Sequence, residues 1–177
     1  MSTDHSKKAA ELFLEGYNCC QAVFGAFCDV TGLPFDTAMR LSSSLGGGVG
    51  RLREVCGALL GGEMVLGILC GYGTPETGKI KAEHYARVQQ LAHRFRDARG
   101  SYLCRELLGV AGEEAPNPAP RTGDFYKNRP CLKIVENAAL LTEQMLKELG
   151  RMPEPASEET LPGEAKYVGL SNILYSE

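Results

Sequence analysis

The sequence lacks the features that mark nucleic-acid-binding, secreted and zinc-ribbon proteins. Its net charge is only −3 and it contains no dense run of lysine and arginine, so we expect no surface for nucleic acid. Residues 1–16 are polar and charged and do not contain the apolar core of a secretion signal. No C-x-x-C motif is present, although this spacing is typical of zinc ribbons and thioredoxin-like sites. These absences favour a cytoplasmic protein that does not bind nucleic acid.

Several other motifs are incomplete. Residues 45–51 are rich in glycine, but they complete no phosphate-binding pattern and follow no predicted strand, which favours a flexible link between helices. The histidines His5, His84 and His93 form no pair at ligand spacing, and we interpret them as surface or core-edge residues. No Ser/His/Asp set or carboxylate pair can be assigned to a common site. Cysteine is therefore the main candidate for chemistry.

The periodicity of apolar residues predicts an all-α protein. A chain of 177 residues with 44% hydrophobic content can form one well-buried core. No alternating apolar-polar run is long enough for a sheet, whereas Tyr85, Val88, Ala92 and Phe95 recur at helical spacing. We predict a helical bundle of about six or seven helices within a domain spanning residues 1–150. The predicted helices cover residues 4–15, 18–30, 36–45, 51–69, 75–98, 101–108 and 131–149.

Two segments are predicted to lie outside the bundle. Residues 109–127 are rich in proline and glycine and predict a long loop, either a solvated excursion or a functional element. Residues 151–177 form a predicted C-terminal tail that ends in an apolar stretch. This stretch could dock onto the chain itself or onto a second subunit, so a homo-oligomer is possible.

The apolar segment 55–73 is predicted to be a buried helix that does not span a membrane. It is barely long enough to cross a bilayer, carries Glu63 near its middle and contains six glycines. A carboxylate at the bilayer centre costs about 3 kcal/mol even on lenient scales. Gly57, Gly61 and Gly62 are better explained as points where a neighbouring helix approaches the backbone closely.

Three of the seven cysteines are predicted to lie in the first turn of a helix. Cys19 follows Asn18, a preferred N-cap residue, and Cys104 and Cys131 occur at similar helix starts. Unpaired backbone N–H groups and the positive end of the helix dipole favour the thiolate there, which predicts a lowered thiol pKa. An odd number of cysteines in a reducing compartment is more often metal-binding or catalytic than structural.

Helix geometry determines which cysteines can act together. Cys56 and Cys70 would be about 21 Å apart on one continuous helix, whereas a disulfide requires Cα atoms within about 7 Å. A shared site must therefore draw its cysteines from different helices, and the candidates are Cys19, Cys56, Cys104 and Cys131. The other three, Cys20, Cys28 and Cys70, are interpreted as ordinary small core residues or idle thiols.

The ordered motifs G-Y-N-C, C-G-A-L-L-G, Y-L-C-R-E-L-L-G and R-P-C resemble those of the C-GCAxxG-C-C family of redox-active proteins. The resemblance extends from about Phe13 to Leu141. It implies that the family's four shared cysteines correspond to the same four candidates and that Gly57 belongs to the cofactor-binding motif. Because Cys20 stands where a small residue such as alanine is expected, the functional thiol could be Cys19 or Cys20. A redox or metal-binding role is implied, without a defined reaction.

Three functions remain open from the sequence. Four converging thiolates could serve as catalytic groups or as ligands of an iron–sulfur cluster or zinc. Two of them could instead form a reversible disulfide without any metal. The third alternative is a helical interaction module with incidental cysteines. The sequence identifies no redox partner and does not decide whether the protein is an enzyme.

Overall fold

The computed structural model describes residues 4–75 and 78–152, and within them the protein is all-α, as predicted. One isolated antiparallel bridge, between Val55 and Leu103, is the only strand-like pairing in this part of the chain. None of the described helices has both the length and the apolar character needed to cross a bilayer. The predicted tail lies outside the described residues apart from its first two, so the domain boundary at residue 150 stays a prediction.

The described helices are α1 His5–Leu14, α2 Cys19–Ala26, α3 Cys28–Thr31, α4 Phe35–Ser42, α5 Gly46–Val49, α6 Gly57–Cys70, α7 Lys79–Arg99, α8 Cys104–Leu108, α9 Gly123–Asn128 and α10 Cys131–Glu148. A 3-10 turn, Ser43–Leu45, joins α4 to α5. The core forms where α2 packs against α1 and α6, and where α10 packs against α1, α6 and α7. Phe24, Phe27, Leu66 and Met145 are fully buried there.

The glycines of α6 allow close contacts with neighbouring helices, as the sequence predicts. A Cβ atom on Gly61 would lie 2.8 Å from the backbone oxygen of Cys20 and 2.9 Å from Cβ of Val23, both on α2. A Cβ atom on Gly62 would approach Leu91 of α7 at 3.2 Å and would also clash with Thr142 of α10. The two glycines therefore open two faces of α6 to different neighbours.

Three predicted segments differ most from the structure. The helix expected over residues 51–69 begins only at Gly57, because residues 53–56 pair with residues 102–105 instead. The helix expected over residues 18–30 is divided at Phe27. The predicted loop 109–127 leads into α9, which begins at Gly123 behind an N-cap, Thr122. In each case tertiary contacts or local capping outweigh the average propensity of the segment.

His5 was interpreted as a surface or core-edge residue, but it is buried. Its ring stacks on Phe27, with ring centroids 4.3 Å apart. Its Nδ1 lies 3.0 Å from a carboxylate oxygen of Glu143, and its Nε2 lies 3.2 Å from one of Asp29. His5 thus connects α1 to α3 and α10, which explains why a polar residue is tolerated inside the bundle.

Candidate functional site

Four cysteines, Cys19, Cys56, Cys104 and Cys131, line one cavity of about 220 Å³. Each comes from the start of a different helix: three are the first residues of α2, α8 and α10, and Cys56 immediately precedes α6. The sequence indicated a helix start for only three of them, because residues 51–56 were predicted to be helical. All four are thus carried on rigid elements that converge from different directions.

A capping box positions Cys19. The Asn18 side chain accepts hydrogen bonds from the backbone N–H groups of Cys20 and Gln21, and the Gln21 side chain accepts one from the Asn18 N–H at 3.0 Å. Asn18 also donates to the backbone oxygen of Ser43 at 2.9 Å. The cap therefore fixes the start of α2 against the turn that follows α4.

The structure places Cys19, not Cys20, at the cavity. The Cys20 side chain is buried in the core, where its Sγ lies 3.8 Å from Sδ of Met64. Cys28 and Cys70 do not line the cavity either. All seven cysteines are free thiols. The geometry thus brings together the four sequence-predicted site cysteines and separates them from the other three.

A short antiparallel pairing brings Cys56 and Cys104 together. The backbone N–H of Cys56 donates to the oxygen of Tyr102 at 2.8 Å, and the N–H of Cys104 donates to the oxygen of Glu54 at 2.6 Å. This backbone pairing holds each cysteine at the start of its helix. Sequence periodicity could not detect this pairing, since it joins two segments about fifty residues apart.

A left-handed turn, which includes most of α5, forms one wall of the cavity. The consecutive residues from Gly47 to Arg51 have φ angles between 58° and 74°, and Arg53 repeats this conformation at 62°. A left-handed residue other than glycine costs about 1–2 kcal/mol, so the surrounding contacts must hold Val49, Arg51 and Arg53 in place. A Cβ atom on Gly48 would lie 2.6 Å from Cβ of Cys104. The segment predicted as a link between helices is therefore part of the site.

Gly57 allows Cys19 to reach the cavity. A Cβ atom at this position would lie 2.6 Å from Sγ of Cys19 and 2.7 Å from the backbone oxygen of Leu45. Gly61, one helical turn later, makes the same kind of close approach to α2. The motif C-G-A-L-L-G thus combines one site cysteine with the two glycines that allow α2 to pack closely on α6.

The prediction of lowered thiol pKa values is wrong for Cys19 and Cys131. Burial raises the pKa of Cys19, Cys56 and Cys131, in the last case to about 12. Charge repulsion from the neighbouring cysteines adds to the effect of burial. Hydrogen bonding from the backbone N–H of Gly47 to Cys19 acts in the opposite direction but is outweighed. The crowded thiols are therefore mainly protonated near neutral pH unless a bound cation stabilises the thiolates.

Arg53 is buried beside Cys104. It is 2% exposed, and its Nη1 lies 3.7 Å from Sγ of Cys104. It also forms an ion pair with Glu114 on the segment 109–122. Arg51 contacts the same segment by donating to the backbone oxygen of Ala115 at 2.6 Å. Two arginines thus hold this segment against the site.

A second anchor, Arg121, was not identified from the sequence. Its guanidinium donates to the backbone oxygens of Phe13 at 3.2 Å and Tyr17 at 3.1 Å. It also lies over the Phe13 ring, 4.6 Å from the centroid. Pro118 and Ala119, which precede it, line the cavity. The predicted loop therefore covers part of the site. Its contacts with Arg51 and Arg53, and those that its own Arg121 makes, became evident only from the fold.

The described residues contain no group of three or more His, Cys, Asp or Glu side chains arranged to hold a single metal ion. The four cysteines therefore surround a common space without converging on one point. This arrangement differs from a tetrahedral zinc site, in which the sulfurs must lie about 2.3 Å from one ion.

Comparison with known proteins identifies the family. No curated protein and no solved structure matches the chain. A family described as "Putative redox-active protein (C_GCAxxG_C_C)" matches residues 17–145. This span includes all four cysteines at the cavity and the motif around Gly57. The chain belongs to the C_GCAxxG_C_C family of redox-active proteins.

Proposed function

We propose that Cys19, Cys56, Cys104 and Cys131 together bind an iron–sulfur cluster, so that the protein carries electrons. The observation that carries this proposal is the convergence of four cysteines from four helix starts on one cavity. Four cysteine ligands are the usual set for [2Fe–2S] and [4Fe–4S] clusters. No other described residue in the cavity wall is a histidine or a carboxylate, so the donor set is entirely sulfur.

A zinc site requires its thiols to lie closer together than a cluster does. The sulfurs of a tetrahedral zinc site are only about 3.8 Å apart, as the Zn–S distance of about 2.3 Å requires. The described residues do not offer such a group. A cluster distributes its ligands over several metal ions and therefore accepts cysteines that surround a larger space.

The surroundings of the thiols also suit a charged cofactor. When bound, an iron–sulfur cluster supplies reversible one-electron transfer. Backbone N–H groups of Ala58 and Leu59 act on Cys56, and that of Gly47 acts on Cys19, in the direction that favours thiolate. The buried Arg53 places a positive charge beside Cys104. Such hydrogen bonds and charges stabilise thiolate ligands and influence their redox potential.

Metal-free thiol–disulfide exchange is the second candidate. It is favoured by the presence of four free thiols around the same cavity. Exchange, however, requires a thiolate as the attacking group, and burial raises the pKa of Cys19, Cys56 and Cys131. The same burial is less of an obstacle to cluster binding, because the metal ions stabilise the deprotonated sulfur.

Anaerobic purification separates the two candidates. We expect the protein to contain both iron and acid-labile sulfide and to absorb visible light, with bands that disappear on chelation of the iron. A colourless protein without iron or sulfide would contradict the proposal. If such a protein also lost two free thiols on mild oxidation and regained them on reduction, dithiol chemistry would replace it.

A further inference from the structure

The cavity that holds the four cysteines is also strongly basic. Arginine side chains from three separate segments line it, and none of its described lining residues is acidic; the arginines are Arg51, Arg53, Arg121 and Arg129. Glu114, which is not among the lining residues, pairs with Arg51 and Arg53. One carboxylate does not balance four guanidinium groups. The excess positive charge therefore faces the cavity.

Arg53 retains an unused hydrogen-bond donor in this wall. Its Nη1 is directed to Cys104 and, at 3.5 Å, to the backbone oxygen of Gly47, and its Nη2 pairs with Glu114. Its Nε is buried and has no hydrogen-bond partner. An unsatisfied buried donor costs about 1–3 kcal/mol, so Arg53 is held in the cavity wall at a free-energy cost.

Arg129 provides a further positive charge at the cavity. Its guanidinium lies over the Phe125 ring, 5.0 Å from the centroid, and it forms no ion pair among the described residues. Arg53 and Arg129 line the cavity together with Cys131, and both act to lower the pKa of that thiol against the larger effect of burial. The two arginines thus share one region of the cavity, next to Cys131.

The remaining wall of this region is apolar. Phe125, Leu107, Leu108 and Ile134 line the cavity together with the two arginines. Guanidinium groups match the paired oxygens of carboxylates and phosphates, whereas the apolar residues suit a short hydrocarbon body. The cavity volume of about 220 Å³, which a bound cluster would share, restricts the ligand to a small molecule.

We propose that the cavity binds a small anion, with its carboxylate or phosphate oxygens on Arg53 and Arg129 and its body against Phe125. This inference rests on the proposed function in one respect, because it takes the cavity that binds the anion to be the redox site. Binding itself requires only the arginines and the apolar wall. The proposal can therefore be tested whether or not the protein carries a cluster.

Isothermal titration calorimetry at constant ionic strength provides the test, with inorganic phosphate and propionate as separate probes. We expect the full-length protein to bind at least one probe saturably, and the probe that binds identifies phosphate or carboxylate as the preferred group. Arg129→Gln should weaken this binding about tenfold or more, because it removes a charge-assisted contact. Arg53→Met should weaken it similarly if the variant folds.

Arg94→Gln is the matched control. Arg94 lies on α7, pairs with Glu148 through contacts of 2.9 and 2.6 Å and does not line the cavity. This variant should bind the probes as the unmodified protein does. Absence of binding for both probes, or an unchanged affinity in Arg129→Gln, would overturn the anion site. If only the proposed cluster function is wrong, the protein will still bind the anion but will never take up iron.

Discussion

Replacing Gly57 with alanine is expected to lower the free energy of unfolding by about 1–3 kcal/mol and to reduce iron uptake. The new Cβ would lie 2.6 Å from Sγ of Cys19 and 2.7 Å from the backbone oxygen of Leu45. Both are far inside normal contact distance, and the second belongs to the backbone and cannot rotate away. Denaturant unfolding of the purified variant, together with its iron content, measures the two effects.

Gly67→Ala provides the control for helix propensity. Gly67 lies on the same helix, α6, but a Cβ atom there would meet nothing within 4 Å. Because alanine is a better helix former than glycine, this variant should be about 0.5–1 kcal/mol more stable than the unmodified protein, with normal iron uptake. Equal stability of the two variants would show that the approach of Cys19 to Gly57 does not constrain the site.

The second large effect is expected from serine substitution of any one cysteine at the cavity. Each of Cys19→Ser, Cys56→Ser, Cys104→Ser and Cys131→Ser should lose most of the iron and sulfide taken up during anaerobic reconstitution. The physical reason is that the hydroxyl is a harder and far less acidic ligand than the thiol. Iron and sulfide per chain, measured after removal of unbound metal, give the result directly.

The other cysteines provide controls in the same experiment. Cys28→Ser and Cys70→Ser should reconstitute normally, because neither side chain lines the cavity. Cys20 is more informative, since the sequence left open whether it or Cys19 is functional. Cys20→Ala should retain the cluster, because the Cys20 side chain packs in the core against Met64. Loss of iron in Cys20→Ala but not in Cys19→Ser would reverse the assignment.

The helical fold and three of the four helix starts could be predicted because their signals are local. Asn18 and Gln21 are three residues apart, and the capping box that they form needs no tertiary contact. The glycines of α6 stand out for a similar reason: they occur inside a continuous apolar segment, where only a close helix contact explains them. The four candidate cysteines were then chosen because cysteines far apart on one helix cannot share a site, so a site must combine different helices.

The features that the sequence missed depend on contacts between distant segments. Cys56 precedes its helix because it pairs with Tyr102, and Arg53 is buried because Cys104 and Glu114 surround it. His5 is buried by partners on α3 and α10. The predicted direction of the pKa shift is wrong for Cys19 and Cys131, because the sequence indicates helix starts but not the depth of burial.

The central claim, that four cysteines of one cavity hold an iron–sulfur cluster, is tested most directly by X-ray absorption at the iron edge. The measurement uses protein loaded with iron under anaerobic conditions. We predict a first coordination shell composed of sulfur only, with a second contribution from neighbouring iron atoms. A shell dominated by oxygen or nitrogen, or iron without an iron neighbour, would contradict the claim.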